Sequence, residues 1–479
     1  MKKHNYLLLC ISVLCLSVSC SKDTLSDAPE TPVSVTQTRA TDPNLLSIEE
    51  VRSLALSLPR EFSDSPATRA ATGKAIKEIV PFSHFVKSSP LTRALVDGSD
   101  DADDNVLDNI YVVNYEGDAG FAIISADKRL RDVLGYSDSG NITDTMSNPG
   151  MRLFMEILPE YAASTLSGGF GDIYDTFPSW GGGGSFPPLP PLDSFPPLCD
   201  FKQDTTVVKD WDGDVTGPLI PVKWSQRAPF NDKADWCSAH NYRTPAGCVA
   251  TAMMQIMVYH EWPQSLGEYG IINWGRLSKY KYAAYFLWDD YGLNLSDKTR
   301  DSLLVGNLFR KVGDMVHMDY DCDGSSSDIK NANAAFTAHK DPFNTLSYAS
   351  DGISDYDETQ VHRDLTFHNL PVYTRGESSA GGHAWVIDGI KLQRRTMRET
   401  TYWYLKGTNV LDHTTSRDFI QERHYVHCNW GWSGENNGWF YENVFQTMSP
   451  AEKDPNTGYT QNHNFKKIKI IKNLHAVQY

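Results

Sequence analysis

The chain has 479 residues, enough for more than one domain and a sizeable core. Hydrophobic residues make up 40% and charged residues 22%, an ordinary globular balance, and a net charge of −16 argues against nucleic acid as a partner. That charge is uneven. Residues 1–220 carry 17 Lys and Arg against 31 Asp and Glu, and the remainder 27 against 29, so the halves differ electrostatically.

Lys2 and Lys3 precede an apolar run from Tyr6 to Val18, too short to span a bilayer comfortably. Residues 1–20 therefore read as an export signal. Its end, Leu-Ser-Val-Ser-Cys20, resembles a bacterial lipoprotein signal, which would make Cys20 the lipidated first residue; ordinary cleavage without lipid is the alternative. No other segment is long and apolar enough to be transmembrane, so the expected membrane contact is that lipid alone. This places the protein at the cell envelope, or outside the cell after processing.

Residues 21–45 are rich in Ser, Thr, Pro and Asp without periodicity, and read as a flexible tether. A module over 46–166 follows. Helical spacing from Ile48 to Leu58, strands starting at Ile110, Phe121 and Val133, and a helix from Met151 to Thr165 make it α+β. Residues 167–220 read as a Gly/Pro-rich linker with an activation site, Lys209 being one candidate. Thr-Arg-Ala at 38–40, 68–70 and 92–94 offers other trypsin-like sites. From 221 to 479 helical patterns (Val249 to His260, Leu303 to Val316, Ile329 to Ala338) precede strand-like ones (Pro371 to Arg375, Ala384 to Ile390, Thr401 to Leu405, His424 to Asn429). Helices first and strands later predict an α+β unit of two lobes with a cleft between them.

Of 8 cysteines, Cys10 and Cys15 leave with the signal. Cys199, Cys237, Cys248, Cys322 and Cys428 remain, an odd number whose irregular spacing is not a disulfide framework. There is no CxxC pair, so a structural zinc is not expected. Asp319-Tyr-Asp-Cys-Asp-Gly begins like a calcium loop but has Lys330 at its twelfth position, and His260-Glu261 continues Trp-Pro-Gln, not towards a zinc-binding histidine. No metal and no cofactor are expected.

Cys248 ends the tight turn Thr-Pro-Ala-Gly and opens an apolar, helix-forming stretch. A thiol there feels the positive end of the helix, which favours thiolate. His383 follows Gly381-Gly382 and opens a strand, 135 residues on; Asn429 and Trp430 lie 46 and 47 residues further. Nucleophile, base and base-orienting amide thus occur in the order Cys, His, Asn, as in a papain-like cysteine protease. Trp430 would shield the His–Asn bond from water. Gln226, 22 residues before Cys248, would supply an oxyanion donor beside the Cys248 N–H.

Gly-Cys-Val-Ala-Thr-Ala, Tyr-His-x-Trp-Pro, Gly-Gly-His-Ala-x-Val-Ile-Asp-Gly and Asn-Trp-Gly-Trp-x-Gly together resemble the streptopain family of bacterial cysteine proteases over nearly all of 221–445. Tyr111-Val-Val-Asn, Gly-Phe-Ala-Ile-Ile-Ser-Ala-Asp-Lys-Arg and Leu-Gly-Tyr-Ser are similar to that family's inhibitory propeptide. The resemblance implies a papain-like, two-lobed protease domain behind a smaller α+β propeptide domain that folds separately. It makes Cys248 and His383 the catalytic dyad and places Gly382 and the loop around Ser325 along the substrate sites. The expected partners are protein or peptide substrates, the propeptide as intramolecular inhibitor, and an activating protease or self-cleavage. The charge contrast suggests a salt-sensitive component to that inhibition. A transglutaminase-like enzyme with the same dyad, or an adhesin on a dead protease fold, are the competing classes.

Overall fold

The computed structural model describes residues 44–62, 73–88, 106–166, 199–286, 295–338, 345–378, 381–446, 452–453, 460–461 and 468–477. The signal with Cys20, nearly all of the tether, the three Thr-Arg-Ala tripeptides and the stretch 167–198 lie outside the described residues.

The N-terminal module begins with helix α1 (Ile48–Phe62). The Ser47 hydroxyl accepts from the Glu50 N–H, and the Glu50 carboxylate accepts from the Ser47 N–H at 2.7 Å, a reciprocal cap that satisfies donors the first turn leaves open. Val51, Ala55, Leu58 and Phe62, three or four apart, form its buried face. Strands β1 (Ile76–Pro81), β2 (Ile110–Tyr115), β3 (Phe121–Ser125) and β4 (Val133–Ser137) form an antiparallel meander, and helix α2 (Pro149–Leu166) closes the module.

The C-terminal unit starts earlier than the sequence suggests. Residues expected in the linker form strand β5 (Cys199–Thr216), paired along its length with β8 (Gly381–Leu405). Lys209 therefore lies in a ladder, opposite Thr396 and bonded to Asp212, not in an open stretch. Helix α3 (Cys248–His260) is buried from Cys248 through Val258, the environment its continuous apolar sequence requires. It packs among helices α4 (Leu295–Met315) and α5 (Ile329–Phe336), with Met253, Met257, Phe309, Val312 and Phe336 in one core. After β6 (Ile353–Asp355) and helix α6 (Glu358–Thr366) come the sheet strands β7 (Val372–Ser378), β8, β9 (Leu411–Asn429), β10 (Gly438–Tyr441) and β11 (Ile468–Ile471). The strand patterns 384–390 and 401–405 belong to one strand, since 391–400 is polar and runs out along a long hairpin with β9. Sequence reading also missed a disulfide. Cys237 and Cys322 are bonded, with Cα atoms 5.4 Å apart, and distance along the chain hid the pairing.

The two modules share one sheet. Its order is β1-β2-β3-β4-β10-β9-β8-β7-β11-β6, with β5 on the outer part of β8. The junction is β4 against β10, pairing Gly438 with Ser137 and Phe440 with Gly135. Gly438 is required there, because a Cβ would lie 2.1 Å from the Tyr136 carbonyl oxygen. Ile123, Phe154, Trp385, Trp430 and Phe440 fall within one hydrophobic cluster that takes no account of the module boundary. At its edge Arg423, 1% exposed, is bonded to Glu61 and lies 3.5 Å from Asp132, both from the N-terminal module. Burial pushes the Asp132 carboxyl up, but Arg423, Arg131 and Arg395 outweigh it and hold it below its ordinary value. Salt screens such a buried contact weakly, which runs against the expected salt-sensitive component. Replacing Arg423 by Met leaves two carboxylates without their guanidinium and should weaken docking by about 3 kcal/mol. Limited proteolysis of the full chain should then cut the N-terminal module on the order of a hundredfold faster.

Candidate active site

Gly247, at φ +92°, turns the chain into α3 so that Cys248 is its first residue. The backbone N–H groups of Ala384 on β8, of Val249 and of Cys248 itself are near enough to the Cys248 thiol to favour its ionised form. Helix start and sheet thus meet at the thiol, one residue from His383. Burial pushes the thiol up by more than those donors and Arg375 pull it down.

His383 is 3% exposed, and its Nε2 lies 2.9 Å from the Trp430 carbonyl oxygen. A carbonyl only accepts, so Nε2 carries the hydrogen and Nδ1 of the neutral ring is the basic nitrogen. The ring stacks on Trp385 at 6.3 Å, and Trp385 packs on Trp430 at 5.3 Å. Burial lowers the His383 pKa to about 4, the Trp430 carbonyl opposing and Arg152 assisting.

Asn429 does not hold this ring. Its amide donates to the Val222 carbonyl at 3.0 Å, and its oxygen accepts from Gln255 Nε2 at 3.0 Å and from the Gly431 N–H at 3.3 Å. Asn429 ends β9 facing α3, and the next carbonyl, that of Trp430, takes the orienting position. Trp430 is itself fixed: its indole donates to the Asn436 carbonyl and its N–H to Asn437 Oδ1, each at 3.0 Å. Gln255 and Asn437 give no local motif, and only the folded chain reveals them.

Gln226 is buried, and its backbone carbonyl accepts from the Ala246 N–H at 2.9 Å, setting the residue beside the turn before Cys248. Ser325 Oγ donates to the Pro245 carbonyl at 2.6 Å on the same turn. The Cys237–Cys322 disulfide staples the Ser325 loop to the approach to Cys248. Gly382 is exposed, and a Cβ there would lie 2.5 Å from the Arg375 guanidinium, so a bare backbone keeps the strand open beside His383.

The N-terminal module reaches this site. Asn148 Oδ1 accepts from the Gly150 and Met151 N–H groups, capping α2, while its amide donates to the Glu435 carbonyl at 3.0 Å. Gly150 lies directly on His383 and Trp430: a Cβ would be 2.9 Å from His383 Cδ2 and 2.3 Å from the Trp430 ring. The sequence offered no signal for this contact beyond a glycine near a helix start.

These features fit a cysteine peptidase in which the N-terminal module covers the His383 ring. Residues 224–440 match the Peptidase C10 family and residues 64–162 match the Spi protease inhibitor, so the chain carries a Peptidase C10 domain with a Spi-type inhibitor domain ahead of it. It is 26% identical over 392 residues to streptopain of Streptococcus pyogenes, covering 74% of this chain and 81% of that one. It is 23% identical over 359 residues to the thiol protease/hemagglutinin PrtT of Porphyromonas gingivalis, covering 73% and 36%. Among solved structures a prointerpain A fragment of Prevotella intermedia has a TM-score of 0.45 at 18% identity, covering 77% of this chain and 96% of that one.

Two outcomes follow from this geometry. Gly150→Val places a side chain inside the Trp430 ring and should lift the α2 start off His383. Peptidase activity of the uncut full chain should rise at least tenfold, and unchanged activity would show that this contact does not silence the site. His383, near 4 folded and 6.5 unfolded, binds fewer protons when folded, so its stabilisation is complete above pH 6.5 and is lost as pH falls towards 4. The loss approaches about 3 kcal/mol. Melting temperatures of full-length Cys248→Ala should fall more steeply over that range than those of the same chain with His383→Gln added, the difference removing the share of buried His260, which is also near 4.

Proposed function

We propose that this chain is the zymogen of an exported cysteine endopeptidase, anchored by lipid on Cys20 or released after processing, and working through Cys248 and His383. The observation that carries the zymogen reading is Gly150 of the inhibitor domain seated on His383. A buried thiol held up and a buried imidazole held down favour the neutral pair over thiolate and imidazolium. Removing the inhibitor domain uncovers the imidazole and shifts the balance to the ion pair.

The Cys248 thiolate then adds to the peptide carbonyl carbon, and the oxyanion is met by the Cys248 N–H with Gln226 as second donor. Imidazolium His383 gives its proton to the departing amine, leaving a thioester. The neutral ring next takes a proton from water, whose oxygen attacks the thioester and releases the carboxylic acid and the thiolate. The Trp430 carbonyl keeps Nε2–H fixed throughout. Activation falls before Cys199, because 199–216 is laddered to β8 and belongs with the peptidase.

The experiment is trace trypsin on the full chain under reducing conditions, beside a Cys248→Ala version, with fragment masses and cleavage of unfolded protein as readouts. A stable C-terminal fragment beginning before residue 199, active only with Cys248, is the expected result. A fragment that cleaves nothing in either version overturns the peptidase mechanism, and one beginning after Thr216 overturns the placement of β5.

A further inference from the structure

Four side chains from three separate stretches converge behind the wall that supports His383. Glu358 and His362 lie one turn apart on α6, His424 on β9, and Glu442 opens the 3-10 turn Glu442–Gln446 after β10. One ligand atom from each lies within 4.8 Å of all the others. His362 Nε2 is 2.6 Å from Glu442 Oε2 and 3.6 Å from Glu358 Oε1, and His424 Nδ1 is 3.1 Å from Glu358 Oε1. The two imidazoles meet edge to face, with centroids 5.1 Å apart. Ligand atoms about 2.0–2.2 Å from a tetrahedral zinc stand roughly 3.3 Å from one another, so these separations bracket that value and shifts of under about 1 Å would centre an ion.

The carboxylates are also held in the manner of ligands. Tyr356 Oη donates to Glu442 Oε1 at 2.6 Å, and Gln446 Nε2 donates to Glu358 Oε2 at 2.7 Å. Each neutral donor takes the oxygen away from the histidines, leaving Glu442 Oε2 and Glu358 Oε1 turned towards the rings. Outer hydrogen bonds of this kind fix metal-binding carboxylates. Glu442 is fully buried, while Glu358, His362 and His424 keep 20%, 20% and 13% of their side-chain surface. A cavity of about 450 Å³ lined by Asp355, Asp357, Glu358 and Gln446 opens beside them, an acidic way in for a cation.

We propose that Glu358, His362, His424 and Glu442 bind one Zn²⁺ in a structural site that clamps α6 to β9 and the turn after β10. Two imidazoles with two carboxylates suit zinc better than calcium or magnesium, which take oxygen ligands. Four protein ligands close the coordination sphere, as in structural sites. The clamp joins elements on either side of the Tyr356–Phe445 pair, at 6.0 Å, and Phe445 packs on Trp385 at 6.4 Å. Tyr-His-x-Trp-Pro and the missing CxxC pairs gave no hint of it, because no two of its stretches are adjacent.

The test uses the full-length chain with Cys248→Ala, so that zinc cannot be held by the catalytic thiol. After chelator treatment and dialysis against Zn²⁺, metal analysis should find one equivalent lost on adding Glu358→Gln with His424→Ala, and Zn²⁺ should raise the melting temperature only without those changes. Should the double variant fold poorly, Glu358→Gln alone must weaken zinc binding at least tenfold with an unchanged circular dichroism spectrum. Co²⁺ in the unaltered site should give visible bands without thiolate charge transfer, separating it from capture by N-terminal cysteines. Equal zinc content in all variants, a thiolate band, or no bound metal would overturn the site and leave a hydrogen-bonded His–Glu cluster.

Discussion

The hydrogen bond from His383 Nε2 to the Trp430 carbonyl is the contact around which the rest of the site is arranged. It fixes the tautomer and so leaves Nδ1 as the basic nitrogen of the ring. It needs Trp430 immobile, which Asn436 and Asn437 accomplish, and it needs the end of β9 level with the start of β8. The pairing of Asn429 with Val386 supplies that register. A slip of one residue would turn the imidazole to the other face of the sheet.

The N-terminal module is built onto the same elements. The Spi-type domain adds its four strands to the edge at β10 and lays the capped start of α2 over His383, so one sheet carries both that ring and its cover. Apolar burial across the joint is large, with Phe154 packed on Phe440 at 4.8 Å and on Phe445 at 5.6 Å. The buried Arg423 with Glu61 and Asp132 adds selectivity of docking more than net stability, since desolvation offsets much of the attraction. Taking charge-bearing groups out of water is also what moves Cys248 and His383 towards their neutral forms.

Much of this was legible in the residues. Gly247-Cys248 before an apolar run announced a thiol at a helix start, and Gly-Gly-His383 before alternating apolar residues announced an imidazole at a strand start. The α+β character of both modules followed from periodicity. Strand β5 was not legible, because Asp200 to Asp214 is polar and exposed and owes its extended form to pairing with β8. The disulfide between Cys237 and Cys322 was hidden for a related reason, since its partners are brought together only by the loops around Cys248.

The sequence by itself determined the chemistry available, a thiol at a helix start and an imidazole at a strand start, because helix starts and glycine turns are local properties. The tertiary structure alone decided which carbonyl orients His383, which glycine covers it, and which histidines and glutamates gather behind it. Those choices depend on the register of strands and the seating of one module on another, interactions between residues that are distant in the chain.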